Sequence, residues 1–458
     1  MNGGAADNGA TASLCPVCLK HLPARRVHRD RGIYLEKQCP DHGAFAALIW
    51  QGLPEMAGWR RPKIPTHPAT PGHPVEHGCP FDCGLCPEHR QRSCTILLEV
   101  TPRCDLGCPI CYAASGPDGA DPPVERIATW YRLARRFGPG ANIQLSGGEP
   151  TLRDDLPELV ALGRQSGLPF IQINTNGLRL AREPGYAETL KAAGAGSIFL
   201  QFDGVDDTVY RTLRGRPLWA EKQAAVAACA RAGLGVVLVP TLVPGVNTHA
   251  VGTILETALR WHPTVRGVHF QPISYFGRHP GAPTDEQRLT LPQLMRLMEH
   301  ATACLFRVDH FRPPGCEHSF CSCHAQYLIA ADGRPRPLMA APPVATPPPI
   351  RAEEGAARAI AAVARQWAAP PAAAPTACGC TSEGQGRCHG HAGDLDAFLA
   401  TARERTFSVS AMVFQDVWNL DLERVQQCCI HIMAPDGRLV PFCLYNLTAA
   451  DGRPLHRP

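Results

Sequence analysis

From Ile96 onward, short apolar or β-branched runs alternate with stretches whose apolar residues recur every three or four positions. The runs at 95–100, 143–146, 169–174, 197–203, 235–243 and 266–272 predict strands. The stretch 124–137 predicts an amphipathic helix with Ile127, Tyr131, Ala134 and Phe137 on one face, and 155–165, 219–232 and 248–260 predict others. Strands alternating with helices imply a parallel sheet. Six such units predict an α/β fold, a partial (β/α)6 TIM-like barrel, with a full eight-stranded barrel as the alternative. In either, function collects at the C-terminal ends of the strands.

The pattern changes outside this core. Residues 1–13 are Gly/Ala-rich and predict a disordered tail. Residues 14–60 predict a small unit in which Val27, Ile33, Tyr34 and Leu35 form a hairpin. Residues 61–93 predict a linker, rich in Pro and His, followed by a cysteine-rich segment. His67, His73 and His77 read as solvated linker residues. The barrel takes 94–310. Residues 311–337 and 394–458 predict the two halves of a small β-containing unit, each with cysteines, a strand and an Asp-Gly turn (Asp332-Gly333 and Asp436-Gly437). Phe414 to Val425 predicts an amphipathic helix. Between the halves, 338–393 is Ala/Pro-rich and of low complexity, with one predicted helix at 352–367.

Composition narrows the class. The chain has 458 residues, a net charge of +4 and no basic block, which argues against a nucleic-acid partner. No apolar run approaches the roughly 20 residues that span a bilayer; a peripheral membrane contact stays open. The N-terminus lacks the charged and apolar regions of a signal peptide. Cysteine changes the picture most: there are 21, in tight groups. Without an export signal, such grouping favours metal binding over disulfides and a cytoplasmic, reduced setting.

Cys15-Pro16-Val17-Cys18 and Cys39-Pro40-Asp41-His42 face each other across the predicted hairpin, making a tetrahedral pocket of Cys15, Cys18, Cys39 and His42 for zinc or a single iron. Four protein ligands close such a site, so its expected role is structural. Cys79, Cys83 and Cys86 follow at C-x3-C-x2-C spacing, with Cys94 eight residues on. Four thiolates there predict a closed auxiliary cluster, and a zinc knuckle is the alternative. Just past the first barrel strand stand Cys104, Cys108 and Cys111, again at C-x3-C-x2-C, followed by Tyr112. Three thiolates on a [4Fe–4S] cluster leave one iron open to a small molecule. A part of a zinc site is the competing reading. Near the end, Cys316, Cys321, Cys428, Cys429 and Cys443 predict one more cluster, held by Cys316, Cys321, Cys443 and one or both of the 428–429 pair. Cys378, Cys380, Cys388, His389 and His391 form a further group, either metal-binding or simply reactive.

The polar motifs sit at predicted strand ends. Gly147 and Gly148 let the backbone approach a ligand closely, and the Glu149 carboxylate, before Pro150, offers an acceptor for an ammonium. Asn174, Asn176, Gln201 and Asp203 offer partners for ligand hydroxyls or a carboxylate, with a tight turn as the alternative reading of Asn176-Gly177. Pro240-Thr241 and Gln271-Pro272 are further wall candidates. Arg214 either reaches a ligand carboxylate or is a solvated helix arginine. No residue is singled out as a catalytic acid or base.

The Cys104–Tyr112 loop followed by Gly147-Gly148-Glu149-Pro150 resembles the radical S-adenosylmethionine (radical SAM) superfamily. The N-terminal C-P-V-C and C-P-D-H-G unit, the C-G-L-C-P-x-H block and the final Cys428-Cys429 segment resemble one subgroup of it, which includes the tetraether-lipid synthase and hydroxymethylpterin methyltransferase-like proteins. The resemblance implies a [4Fe–4S] cluster on Cys104, Cys108 and Cys111, with SAM on the open iron. It implies SAM contacts from Gly147, Gly148, Glu149 and Pro150, one or more auxiliary Fe–S clusters, and a mononuclear zinc or iron near the N-terminus. The expected activity is reductive cleavage of SAM to a 5′-deoxyadenosyl radical that activates a C–H bond. Carbon–carbon coupling on a lipid or similar apolar substrate is the leading expectation, and methylation of a pterin-like small molecule the alternative. A reducing partner such as a ferredoxin or flavodoxin is implied. A non-enzymatic metal-binding interaction protein, and a redox carrier using the auxiliary clusters alone, are the readings from other classes.

Overall fold

A computed structural model describes residues 9–68, 74–339, 348–369, 402 and 404–458. Its centre is a run of six parallel strands: β6 (Thr95–Thr101), β7 (Asn142–Gly147), β8 (Ile171–Thr175), β9 (Ser197–Gln201), β10 (Gly235–Val239) and β12 (Val265–Pro272). Each predicted strand is present, within the shift of a few residues usual at element ends. Pro240 cannot donate to the ladder, and the predicted run 235–243 divides there into β10 and the two-residue β11 (Thr241–Leu242). Ile96, Leu98, Ile143, Leu145, Ile198 and Leu200 point outward into the main apolar core, under helices that include Val124–Phe137, Leu156–Gln165, Trp219–Ala232 and Val251–Arg260. Alternation then turns Gln144, Asn174, Gln201 and His269 to the inner face.

The six strands do not stand alone. β16 (Thr406–Met412) joins the free edge of β12 in parallel, and β17 (Ile430–Met433) joins the free edge of β6, also in parallel. The run of parallel strands is therefore eight, two of them from the last part of the chain. The antiparallel β13 (Ser322–Ile329) and β14 (Pro335–Pro337) extend the β16 side, and β18 (Leu439–Pro441) pairs with β17. The two halves of the predicted C-terminal unit thus pack on the core rather than as one separate sheet.

The helix predicted at 352–367 is present as Ala352–Trp367. Just before it, β15 (Ile350–Arg351) pairs with β5 (Lys63–Ile64), which fixes part of the predicted linker. The helix runs past the N-terminal ends of the strands. The Asn142 amide donates to the Ile360 carbonyl (3.3 Å), Arg266 donates to the Gln366 carbonyl (3.1 Å), and Trp367 lies 5.5 Å from the Phe199 ring.

Two expectations fail. The chain from Phe414 to Asp421 is not helical, and the helix is only Leu422–Gln426. Asp416 takes the N–H groups of Trp418 and Asn419 and forms a buried pair with Arg288 (3.0 Å), so local side-chain bonds replace the helical ladder. Nor is the whole N-terminal stretch a tail: β1 (Ala10–Leu14) pairs with β2 (His21–Arg29). With β3 (Gly32–Cys39) and β4 (Gly43–Trp50) they make a four-stranded antiparallel sheet in place of a lone hairpin. The 378–391 Cys/His group lies outside the described residues.

Lys37 joins this N-terminal sheet to the last segment. Its buried Nζ donates to Ser13 Oγ (2.9 Å) and to the Val417 carbonyl (2.7 Å). Burial drives its pKa down to about 7, against the pull of Asp416. The unfolded lysine titrates near ~10.4, so between these values only the unfolded chain holds the proton. Stability should rise as pH rises through that window, by up to about 1.4 kcal/mol per pH unit from this group. Urea midpoints measured anaerobically from pH 7 to 10 should rise in the native chain and lose much of that slope in Lys37→Met.

Candidate cluster and cofactor site

The loop carrying Cys104, Cys108 and Cys111 leaves the C-terminal end of β6. The three side chains gather with Leu106, Leu178, Tyr210, Leu218 and Trp219 in one apolar nest. Burial pushes the Cys104 thiol up to about 12, although the Leu106 N–H pulls it down. Such a thiol stays protonated at neutral pH unless a metal takes the proton's place.

The 147–150 turn lies on the same rim and is bonded to the chain entering that loop. The Gly148 N–H donates to the Thr101 carbonyl (2.8 Å) and the Glu149 N–H to the Arg103 carbonyl (2.7 Å). A Cβ on Gly148 would sit 2.0 Å from the Arg103 carbonyl oxygen, so only glycine allows this approach. From the other side, Gly277 meets the Cys111 and Tyr112 carbonyls just as closely, Arg278 exchanges backbone bonds with Cys111 (2.9 Å each), and its Nε donates to the Cys108 carbonyl (2.7 Å). Three chain segments thus clamp the loop by its backbone, and the Cys108 side chain also bonds to Arg214.

The Glu149 carboxylate is buried, and burial raises its pKa against four donors. Oε1 accepts from the Thr151 N–H (3.0 Å), Thr151 Oγ1 (2.6 Å) and Thr175 Oγ1 (2.7 Å), and Oε2 accepts from the Asn176 N–H (2.6 Å). Glu149 is therefore first a brace between the ends of β7 and β8. A carboxylate has about four acceptor positions; the crowded oxygen is Oε1, and Oε2 keeps room for one more donor. Asn176 donates to Asp105 Oδ1 (2.7 Å) within the cysteine loop. Asn174 donates to Gln144 Oε1 (3.1 Å), while its buried Oδ1 has no partner. An orphaned acceptor on the inner face fits a ligand hydroxyl or N–H.

Asp203 does not face a ligand. Its fully buried carboxylate holds Arg214 in a bidentate pair (2.6 and 2.8 Å) and accepts the Thr241 N–H (3.1 Å). Burial works against the Arg214 charge, and Asp203 overrules it, keeping the guanidinium above its usual pKa. Arg214 is thus neither a solvated arginine nor a free carboxylate receptor. Gln201 contacts Asp203 and accepts from Lys222 Nζ (2.7 Å).

Lys222 was not foreseen. It is fully buried, donates also to the Asn176 carbonyl (2.5 Å) and lies over the Tyr210 ring (5.6 Å). Burial lowers its pKa to about 7, with Asp203 opposing. The sequence did carry a signal: Lys222 shares the buried stripe of its helix with Val226 and Cys229.

The other cysteines regroup. Cys15, Cys18, Cys39 and His42 come together as expected, with Cys15 Sγ and Cys39 Sγ 3.7 and 3.5 Å from His42 Nδ1 and Cys18 Sγ 3.9 Å from Cys39 Sγ. These are the edges of a tetrahedron around one ion. Cys79, Cys83 and Cys86 lie near one another, and a hydrogen bond with Cys79, then burial, raises the Cys83 thiol. Cys94 does not join them. It stands at the start of β6, its Sγ 2.8 Å from Cys429 Sγ, and shares a buried group with Cys429 and Cys316. The expected C-terminal cluster divides accordingly. Cys321, which accepts from Arg424 Nε (3.4 Å), interacts instead with Cys428 and Cys443. Of this consecutive pair, Cys429 belongs to the buried group with Cys94 and Cys316, and Cys428 lies near Cys443 and Cys321. Phe442, beside Cys443, lies 5.5 Å from Tyr112 and 4.4 Å from Phe414, which brings this region against the cysteine loop of β6.

Comparison with known proteins gives the following. Residues 98–258 match the family model of the Radical SAM superfamily, and residues 8–51 match the HMPTM N-terminal zinc ribbon domain. The chain is 33% identical over 471 residues to the 7,8-dihydro-6-hydroxymethylpterin dimethyltransferase of Methanocaldococcus jannaschii, covering 95% of this chain and 93% of that protein. It is 27% identical to the GTP 3′,8-cyclase of Chlorobaculum tepidum, over 52% of this chain and 76% of the cyclase. Among solved structures, Streptococcus suis SuiB bound to precursor peptide SuiA has a TM-score of 0.40 and 17% identity, over 47% of this chain and 46% of that one.

Replacing Lys222 by Met leaves the Asn176 carbonyl and Gln201 Oε1 without their buried donor, at a cost of about 1–3 kcal/mol for each group. SAM affinity measured by equilibrium dialysis on the reconstituted protein should fall about tenfold or more, while iron and sulfide content stay at the native level.

Proposed function

The chain belongs to the radical SAM superfamily, in the family of the 7,8-dihydro-6-hydroxymethylpterin dimethyltransferase, and on that footing we propose that it methylates a carbon of a reduced pterin or a closely similar heterocycle. It is a radical SAM enzyme; the substrate and the methyl transfer are the proposal. The observation that carries it is 33% identity over 95% of this chain and 93% of a pterin dimethyltransferase, together with the match of residues 8–51 to the HMPTM zinc ribbon domain. This favours methylation over the coupling of lipid tails.

The inner face of the barrel supports the same reading. Gln144, Ser146, Asn174, Gln201, Gln271 and His269 face it, with Tyr112 donating to or accepting from Ser146 Oγ (2.7 Å). Gln144, Gln201 and His269 already bond within the protein, but a lipid tail against this face would leave the buried Asn174 Oδ1 without a donor. A flat heterocycle with a ring N–H satisfies it. The orphaned Asn174 Oδ1 is the first candidate to accept a ring N–H.

A [4Fe–4S] cluster on Cys104, Cys108 and Cys111, with SAM on its open iron, would supply a radical able to take a hydrogen atom from an unactivated C–H bond. The chain's own part is positional. The backbone clamp fixes the cysteine loop, Glu149 and Lys222 fix the tips of β7, β8 and β9, and the Asp203–Arg214 pair fixes the entry to the helix that follows. A reducing protein of the ferredoxin or flavodoxin class would supply the electron. No helix among the described residues is long and apolar enough to cross a membrane.

The reconstituted enzyme, incubated anaerobically with SAM, a reductant, a methyl donor and 7,8-dihydro-6-hydroxymethylpterin, should give 5′-deoxyadenosine and a pterin heavier by one CH2 for each hydrogen replaced by methyl. Replacing Cys104, Cys108 and Cys111 by Ala should abolish both products. Formation of 5′-deoxyadenosine with pterin unchanged, alongside coupling of added lipid tails, would refute the pterin reading.

A further inference from the structure

Cys94, Cys316 and Cys429 come from the start of β6, the loop before β13 and the start of β17. Their sulfurs all lie within 4.8 Å of one another and all are buried. One more ligand-type group reaches them. The buried carboxylate of Glu317 places Oε2 2.6 Å from Cys316 Sγ and 3.7 Å from Cys429 Sγ, and its Oε1 accepts from the Ser322 hydroxyl. We propose that Cys94, Cys316, Cys429 and Glu317 hold a single divalent transition-metal ion, zinc or ferrous iron, as a closed three-sulfur, one-oxygen site.

Three observations carry this. The first is charge. Three thiols and a carboxylate crowd into a buried space, and the carboxylate oxygens face two sulfurs and a hydroxyl, not a cation. Buried anions are paired or bound to metal, and here an ion is the partner that fits. The second is size. A metal–sulfur bond near ~2.3 Å sets tetrahedral sulfur–sulfur edges of roughly 3.8 Å. The Cys429–Glu317 separation of 3.7 Å matches that scale, and every sulfur pair of Cys94, Cys316 and Cys429 lies within 4.8 Å. A cuboidal cluster spreads its sulfurs around four irons and needs more room. The third is place. Cys94 and Cys104 lie at opposite ends of β6, whose seven residues span roughly 20 Å. The site is therefore remote from the SAM loop, and a centre with four protein ligands offers no open position.

Its work is then to join. The backbone already ties these segments: the N–H groups of Cys94 and Thr95 both donate to the Cys429 carbonyl (2.8 and 3.2 Å), and Gln91 Nε2 donates to the Cys316 carbonyl (2.5 Å). An ion on the four side chains would lock β17 onto the edge of β6 and anchor the loop before β13.

The test counts metal on the full chain, purified anaerobically, by plasma emission and sulfide assay. Cys94→Ala should lose one metal ion per chain, with sulfide unchanged and the N-terminal ion retained; that ion is identified by its loss in Cys15→Ala. Loss of several irons together with sulfide would overturn the single-ion assignment. Against a graded chelator, Glu317→Gln should release the ion at least about tenfold more readily than the native chain, and Glu317→Cys should restore retention. Native retention in Glu317→Gln, or no recovery in Glu317→Cys, would overturn the role given to Glu317.

Discussion

Everything at the reactive end depends on how the two open edges of the six-stranded sheet are covered. An uncovered strand edge exposes a row of unpaired N–H and C=O groups and invites foreign pairing. Here β6 and β12 are those edges, and β6 also carries the loop of Cys104, Cys108 and Cys111. The last part of the chain covers both, β17 against β6 and β16 against β12. The loop can be held accurately only if the strand beneath it is held, so the C-terminal segment is part of the active structure rather than an appendage.

At the tips of the strands the same logic is carried by buried polar groups. Glu149, Lys222 and the Asp203–Arg214 pair each join two or more strand ends. Burying such groups is costly unless they are bonded, and each of them is held by two or more partners. The result is a rigid rim around a polar interior. Rigidity matters for radical chemistry, because a reactive intermediate takes whichever hydrogen stands nearest, and selectivity comes from fixed positions.

Much of this was legible in the sequence. Six β/α units, the tetrahedral set of Cys15, Cys18, Cys39 and His42, and the nearness of Gly147–Pro150 to the cysteine loop follow from spacing and from the rule that function gathers at strand ends. Long-range grouping of cysteines was not legible. Cys94 lies eight residues from Cys86, yet its partners stand at 316 and 429, because it opens a strand that points it away from the preceding loop. Periodicity at 414–425 suggested a helix, but Asp416 offers the backbone N–H groups a competing acceptor that a hydrophobic pattern does not register. Asp203 and Arg214 were both visible as polar residues near strand ends. That they satisfy each other was not, since a pair eleven residues apart across a helix leaves no periodic trace.

The thiol of Cys429 belongs to a group whose other members stand at residues 94 and 316. A ribosome releases the first of these sulfurs long before it has made the last. Through most of synthesis Cys94 therefore has no companion, although Cys15, Cys18, Cys39 and His42 are together by residue 42. Metal delivery to the long-range group must follow translation, with Cys94 kept reduced until the tail has folded back.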